Sequence, residues 1–380
     1  MASSMAEGDP ALLWHDPLRL SGTPEVRGAH QSSDCSAAAR PLVGRSINSA
    51  LQQARLGGLL DAQGQAFLAE QFEFHTEYGP GVMAELGGIA QGFGLSVEDV
   101  FAFHHLGALD VRKTGRTVVT DGCSAWGVAS GRDGPLLVKN RDSAAQPDRP
   151  QSVMMHHGAD ISGGAMICVG TLGSPGAYSS GMNASGLAVG DTHVTAQGVG
   201  VGWLRLFLAT HLMTQFDSVD AALDYIGRVP HAGGGTLVLA DAGGSVAGVD
   251  FDLSGPTIRR GGPVWRTNHF TTPAPHRGSQ KVVGDAIDAN SLSRFTHIGA
   301  ALADGDWDVG RAKQLMATHD GAPICQHRNT DDADTISTAI FACKTRVLTY
   351  SRAHPCAGDW QRFTPDTWLA PLGATAPSST

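Results

Sequence analysis

The stretch TDGCSAWGVASGRDGPLLVKNRDS, residues 120–143, sets a glycine directly before a cysteine at the start of an apolar run. A thiol is a good nucleophile only as thiolate, and an unperturbed cysteine titrates near about 8.5. One way to activate it is to supply its own free α-amino group as base. That amine titrates near about 8, close enough to neutrality to take up and return a proton. Everything before Cys123 would first have to be removed. Attack of its thiol on the Gly122 carbonyl, an N-to-S acyl shift, followed by hydrolysis would do this. Glycine suits the position because it tolerates strained backbone angles and leaves its carbonyl open. The alternative is a buried structural thiol, the common fate of a free cysteine. The pair alone does not decide between the two.

Other reactive residues form no comparable pattern. The six cysteines (35, 123, 168, 325, 343 and 356) are scattered without a Cys-x-x-Cys pair, so neither a disulfide framework nor a zinc site is expected. The histidine pairs 104–105 and 156–157 lack metal-ligand spacing, and GGGT at 233–236 lacks the lysine of a phosphate loop. No metal and no cofactor are expected. A net charge of −9 without a basic cluster argues against nucleic acid and anionic membrane as partners. No apolar run has signal-peptide or membrane-span length, which leads us to expect a soluble, cytoplasmic protein.

The elements that must position Cys123 change character around it. Residues 44–112 repeat apolar side chains at helical spacing, with Ser96 and Asp99 placed as a cap and its reciprocal partner. From 123 on, CSAWGVAS, PLLVKN, QSVMMHH, AMICVGTL and GLAVGDTHV read as short strands. Two helical runs follow, VGWLRLFLATHLMTQF and DSVDAALDYIGRV, the second capped by Asp217 or Ser218. A hairpin turning at Ala242-Gly243-Gly244, helices over 291–303 and 309–318, and the strand pair ISTAIFACKTRVLTYS complete the pattern. Hairpins interleaved with helix pairs suggest antiparallel sheets covered by helices. With 42% hydrophobic residues in 380, the core can be large.

Several segments, in order, give the chain a family resemblance. DGCSAWGV...GPLLVKNRD resembles the opening of the β-subunit in cysteine-type N-terminal nucleophile (Ntn) hydrolases, in the branch of acyl-CoA:6-aminopenicillanic-acid acyltransferase (isopenicillin N acyltransferase). Choloylglycine hydrolases and penicillin V acylases are more distant relatives. SGTPEVRGAH is similar to that branch's opening Gly-Thr-Pro segment, and ELGGIAQGFGLSVEDVFAFHHL to its helical Gly-Ile-Ala segment. GMNASGLAVGDTHV resembles a strand of the family, and TNHF at 267–270 and PIC at 323–325 follow in the right order.

The resemblance implies an α+β fold, a four-layer αββα sandwich with two antiparallel sheets between helix layers. It implies residues 1–122 as a helical α-subunit or propeptide released by autoproteolysis between Gly122 and Cys123, and 123–380 as the β-subunit, the two making one composite domain. Residues 1–17 and 370–380 are expected to be disordered tails. Carried over by position, Cys123 is nucleophile and, through its amine, base. Asp142 holds that amine, and Asn268 donates an amide N–H to the oxyanion. Lys139, Asn140, Arg141, His193 and Arg294 become substrate-contacting or supporting residues, and His269 structural. Lys139 stands where choloylglycine hydrolases carry arginine, and Thr335 lies close to the position of an acyltransferase arginine. The implied activity is cleavage of the amide bond of a small N-acylated substrate through a thioester. Acyl transfer from a thioester of CoA type, or from an amide, to a small amine is the alternative, and an unprocessed binding protein a second one. The implied partners are the small-molecule substrate and the chain's own two fragments, as a heterodimer or a higher homo-oligomer.

Overall fold

A computed structural model describes residues 15–115, 122–143, 150–194, 198–271, 286–327 and 334–370. Most of the two expected tails falls outside these residues. Strand β1 (Leu18–Ser21) leads into helices α1 (Pro24–Asp34), α2 (Ala39–Leu56), α3 (Ala62–Tyr78), α4 (Pro80–Phe93), α5 (Val97–His104) and α6 (Leu106–Thr114). Strands β2 (Gly122–Val128), β3 (Leu136–Ser143), β4 (Gln151–His157), β5 (Ala165–Thr171), β6 (Ser180–Asn183) and β7 (Ala188–Thr192) follow. Helices α7 (Arg205–Gln215) and α8 (Val219–Ile226) precede β8 (Thr236–Ala240), β9 (Val246–Asp252), β10 (Gly255–Arg260) and β11 (Val264–Arg266). The chain continues through α9 (Ala286–Leu302), α10 (Val309–Met316), β12 (Asp334–Ala342), β13 (Val347–Arg352), β14 (Trp360–Phe363) and α11 (Pro365–Trp368).

The described strands form two sheets. One has the order β1-β4-β5-β6-β7-β8-β9-β10 and the other β11-β2-β3-β12-β13-β14. All pairings are antiparallel except that of β1 with β4, which is parallel. Side chains alternate between faces along each strand, and the core divides accordingly. Val153 and Met155 of β4 meet Leu137 of β3 and Phe341 of β12 between the sheets, whereas Met154 faces α1–α8. Trp126 and Val138 turn the other way, onto Ile298 of α9 and Leu315 and Met316 of α10. Helix, sheet, sheet, helix is the four-layer sandwich expected. Strands buried on both faces read as continuous apolar runs, as AMICVGT does.

Some local expectations change. β1, α1, β10, β11, β14 and α11 were not foreseen. Ser96 caps α5 through the Asp99 N–H (3.1 Å), but the Asp99 carboxylate turns to Arg55 (3.0 Å) instead of closing a box. Ser218 sits at the start of α8, yet the Val219 N–H is held by Asp241 Oδ2 at 2.8 Å, from the turn between β8 and β9. No helix among the described residues is long and apolar enough to cross a membrane.

The two N-terminal motif segments pack on each other as α1 and α4. A Cβ on Gly88 would lie 1.9 Å from the Glu25 carbonyl oxygen, and one on Gly28 2.1 Å from that of Glu85. The helices therefore touch backbone to backbone. Gly88→Ala should lower stability by roughly 1–3 kcal/mol through overpacking. Gly87→Ala, with nothing within 4 Å of its Cβ position, should raise it by about 0.5–1 kcal/mol, the helix-interior advantage of alanine. Urea unfolding midpoints of the two variants measure this, and equal midpoints would contradict so close a crossing.

Candidate active site

Cys123 lies near the start of β2, a strand flanked by β3 and β11. In the β2–β3 register Gly122 is opposite Asp142, Cys123 opposite Arg141, Ser124 opposite Asn140 and Ala125 opposite Lys139. Directly paired residues share a face of the sheet. Cys123, Lys139 and Arg141 thus look toward the other sheet, and Gly122, Ser124, Asn140 and Asp142 toward α9 and α10. The sequence residues are brought together, but on two sides of one strand pair.

On the first side lies a cavity of about 330 Å³ with Cys123 in its lining. Phe103, Leu106 and Val111 of α5 and α6 form an apolar wall, and Arg141, Asp191, His193 and Arg205 a polar one. Residues that precede Cys123 in the chain therefore shape the space in front of its sulfur. Arg141 donates to Thr171 Oγ1 (2.8 Å) and lies 5.0 Å over the Tyr178 ring. Lys139 is buried; its Nζ donates to the Asn140 carbonyl (2.5 Å) and stands 3.9 Å from Asp191 Oδ1, whose Oδ2 holds Arg205 Nε at 2.8 Å. Burial pushes the Cys123 thiol above its usual range, the Lys139 ammonium opposes this, and the Asp191 and Asp142 carboxylates add to it.

Both backbone groups of Cys123 are pinned. Its N–H donates to Asn268 Oδ1 at 2.9 Å. Its carbonyl accepts from Arg294 Nη1 at 2.7 Å, and the same nitrogen reaches Ser124 Oγ at 2.8 Å. Arg294 Nη2 closes the ring onto Asn268 Oδ1 (2.8 Å), and Nε is held by Asn290 Oδ1 (2.6 Å). Asn268 Nδ2 donates to the His193 carbonyl (2.9 Å), and its backbone N–H to Ser291 Oγ (2.8 Å). His269 shares that serine (2.8 Å), which fits a structural residue.

On the second side, Asp142 Oδ1 accepts from Asn140 Nδ2 (2.7 Å) and Thr335 Oγ1 (2.6 Å), and Oδ2 from Gln326 Nε2 (3.0 Å). Asn140 Oδ1 in turn accepts the Ser124 N–H at 2.6 Å. Burial raises the Asp142 carboxyl to about 6, against the opposing pull of Arg294, Thr335, Lys139 and Asn140. The Cys123 N–H is directed at Asn268, where the family pattern would lead one to expect Asp142; the carboxylate lies instead against Gly122. A Cβ on residue 122 would stand 3.1 Å from Asp142 Oδ2 and 3.0 Å from Gln326 Nε2. Gly122 is extended in β2, so what glycine supplies here is room rather than tolerance of strain.

Sequence reasoning missed Ser124, Asp191, Arg205, Asn290, Ser291 and Gln326. Asp191 and Gln326 lie in or next to the segments GMNASGLAVGDTHV and PIC that carry the resemblance, which was the available signal. The fold also gathers four side chains that could hold a metal ion, His319, Cys325, His327 and Cys356, which their spacing in the sequence did not suggest.

Comparison with known proteins adds the following. No curated protein matches the chain. Solved structures similar to it include a C2A mutant of conjugated bile acid hydrolase from Clostridium perfringens, with TM-score 0.43, 9% identity, and coverage of 64% of this chain and 96% of that one. Penicillin V acylase from Agrobacterium tumefaciens gives TM-score 0.31, 12% identity, and coverage of 62% and 75%. The profile of one family, acyl-coenzyme A:6-aminopenicillanic acid acyl-transferase, matches residues 129–356. That stretch holds Asp142, His193, Asn268 and Arg294 and begins just beyond β2, and because it spans more than half of the chain, the protein belongs to this enzyme family.

Proposed function

We propose that the protein is a self-processing cysteine amidohydrolase that cuts the amide bond of a small N-acylated molecule. The observation that carries this reading is the placement of Cys123: its sulfur side opens on the cavity while Arg294 and Asn268 hold its carbonyl and nitrogen. In processing, Cys123 Sγ adds to the Gly122 carbonyl carbon and the thiol proton passes to the Cys123 nitrogen. The C–N bond breaks, leaving a thioester and a primary amine, and water cleaves the thioester to a Gly122 carboxylate and a free thiol. An amine carries more N–H donors than the amide it replaces. It can keep Asn268 Oδ1 and also engage the Asp142 carboxylate. β1 and the helices α1–α6 belong to the same core as α7, α8 and the larger sheet, so the N-terminal fragment stays docked as the second chain of a heterodimer.

In turnover the amine takes the thiol proton and the sulfur attacks the substrate carbonyl. Asn268 Nδ2, anchored through His193, turns its other N–H to the oxyanion. The amine then protonates the departing nitrogen, and water releases the acid from the thioester. The family match supports a second reading in which a small amine, instead of water, accepts the acyl group. Product analysis with a candidate amine present distinguishes the two, since only transfer yields a new amide. An unprocessed binding protein, the remaining alternative, would show one uncut chain and no turnover.

Purified protein should run as two fragments of about one third and two thirds of the chain, and Edman degradation of the larger should read Cys-Ser-Ala-Trp-Gly. A fully active single chain would sink the self-processing reading. Cys123→Ala should stay intact and inactive, and Cys123→Ser should process slowly, because a hydroxyl is the weaker nucleophile. Cys343→Ala, at a buried packing position between the sheets, should remain active; loss of activity in a folded Cys343→Ala would count against a single nucleophile.

Asn268→Ala should lower kcat by about 10²–10³ with a smaller change in KM, as for loss of one oxyanion donor. A rise in KM alone would make Asn268 a ground-state binding residue. Processing needs Asp142 as carboxylate beside Gly122, and its carboxyl titrates near about 6. The processing rate should therefore fall as pH drops through that value. Asp142→Asn should be slow and should lose this limb of the profile; an unchanged limb would assign it to another group.

A further inference from the structure

The loop after α10 and the turn after β13 bring together four side chains that the catalytic reading leaves unused. His319, Cys325, His327 and Cys356 each offer one ligand atom, and all four atoms lie within 4.8 Å of one another. His327 Nε2 is 3.6 Å from Cys325 Sγ and 3.3 Å from Cys356 Sγ. Zinc bound tetrahedrally, with sulfur at about 2.3 Å and nitrogen at about 2.0–2.1 Å, sets its ligand atoms roughly 3.4–3.8 Å apart. The two closest pairs already have about that spacing. Two thiolates and two imidazoles suit zinc and offer nothing to the hard cations that seek oxygen. Four protein ligands also fill the tetrahedron and leave no open position, the pattern of a structural site.

The surroundings are those of a built site. The His354 ring stacks on His327 at 3.8 Å between centroids, and its Nε2 is held by Asp334 at 2.5 Å. The Ile324 and Cys325 N–H groups both donate to the Thr318 carbonyl at 3.1 Å, which folds the loop back on itself. Cys325 is buried, while His319, His327 and Cys356 are exposed and leave a path for an ion. The same loop reaches the back of β3: the Ile324 carbonyl accepts Asn140 Nδ2 (3.1 Å), and Gln326 Nε2 donates to Asp142 (3.0 Å).

We propose that His319, Cys325, His327 and Cys356 bind one zinc ion, which braces the 318–327 loop against Asn140 and Asp142. The zinc site stands apart from the catalytic reading, because binding is measured without turnover. Metal-stripped, reduced full-length protein is titrated with cobalt(II) as a spectroscopic probe and then with zinc. One cobalt per chain is expected, with the visible bands of tetrahedral thiolate coordination, displaced by stoichiometric zinc. Cys356→Ser should halve the thiolate-to-cobalt charge-transfer intensity, and both it and His319→Ala should weaken binding by tenfold or more. Both replaced residues are exposed, so the core is left intact. Zinc should raise the melting temperature of the wild type and leave that of Cys356→Ser unmoved. Absence of stoichiometric cobalt, an octahedral spectrum, or unchanged binding in both variants would overturn the site. Tight zinc binding without a melting shift would overturn the bracing. A Cys325–Cys356 disulfide in the isolated protein that, once reduced, still takes no metal would likewise overturn the site.

Discussion

The site turns on one buried cation. Arg294 is enclosed by protein, and a guanidinium taken out of water is tolerated only where its donors are answered and an opposite charge is near. Its Nε and both Nη atoms are answered, by Asn290, by the Cys123 carbonyl, by Ser124 and by Asn268. The compensating charge is the equally buried Asp142, on the same helix-covered side of the β2–β3 pair, and each group shifts the other's protonation. Because the partners are the strand end of Cys123 and the amide of Asn268, satisfying the arginine fixes both in one geometry. That is preorganisation obtained from the desolvation demand itself.

The four layers serve this arrangement. β3 runs beside β2 through Cys123, but β11 pairs only with Ala125–Gly127, so at Cys123 the side chains of Asn268 and Arg294 take the place of a neighbouring strand. α9 delivers Arg294 from one side, and α5 and α6 close the cavity on the other. α4 lies close under α1 only because glycines let the backbones touch. Residues before and after Cys123 therefore contribute to one core and one site, so the packing would survive the proposed cut between Gly122 and Cys123.

Much of the framework was legible because it rests on periodicity. Strands buried on both faces and the amphipathic α2–α6 announce themselves, and Gly122-Cys123 stands at the change from one pattern to the other. α1 was not legible, since the face it buries is Arg27, Gly28, Gln31 and Ser32 rather than an apolar stripe. The N-cap position of α8 was read as Asp217 or Ser218 and falls on Ser218, but the hydrogen bond that satisfies it comes from Asp241 in another element. The clamp on Cys123 joins residues more than 140 positions apart, and nothing local marks such a contact. Arg294 and Asn268 were found only through the family resemblance. The Cys/His cluster escaped because Cys356 lies 29 positions beyond His327 and the spacing of the other three matches no familiar metal motif. At Gly122 the sequence reading invoked tolerance of strain, whereas the residue is extended and a Cβ there would crowd Asp142 and Gln326.

The central claim is that Cys123 becomes an N-terminal nucleophile that carries the acyl group. The most direct test is intact-mass and peptide-mapping spectrometry of protein quenched in acid during turnover of a reactive N-acyl or acyl-thioester substrate. The account predicts one acyl group per chain on the peptide that begins with Cys123, removed by hydroxylamine as a thioester is, and absent from Cys123→Ala. Turnover with the acyl group on another residue, or on a Cys123 still joined to Gly122, would contradict it.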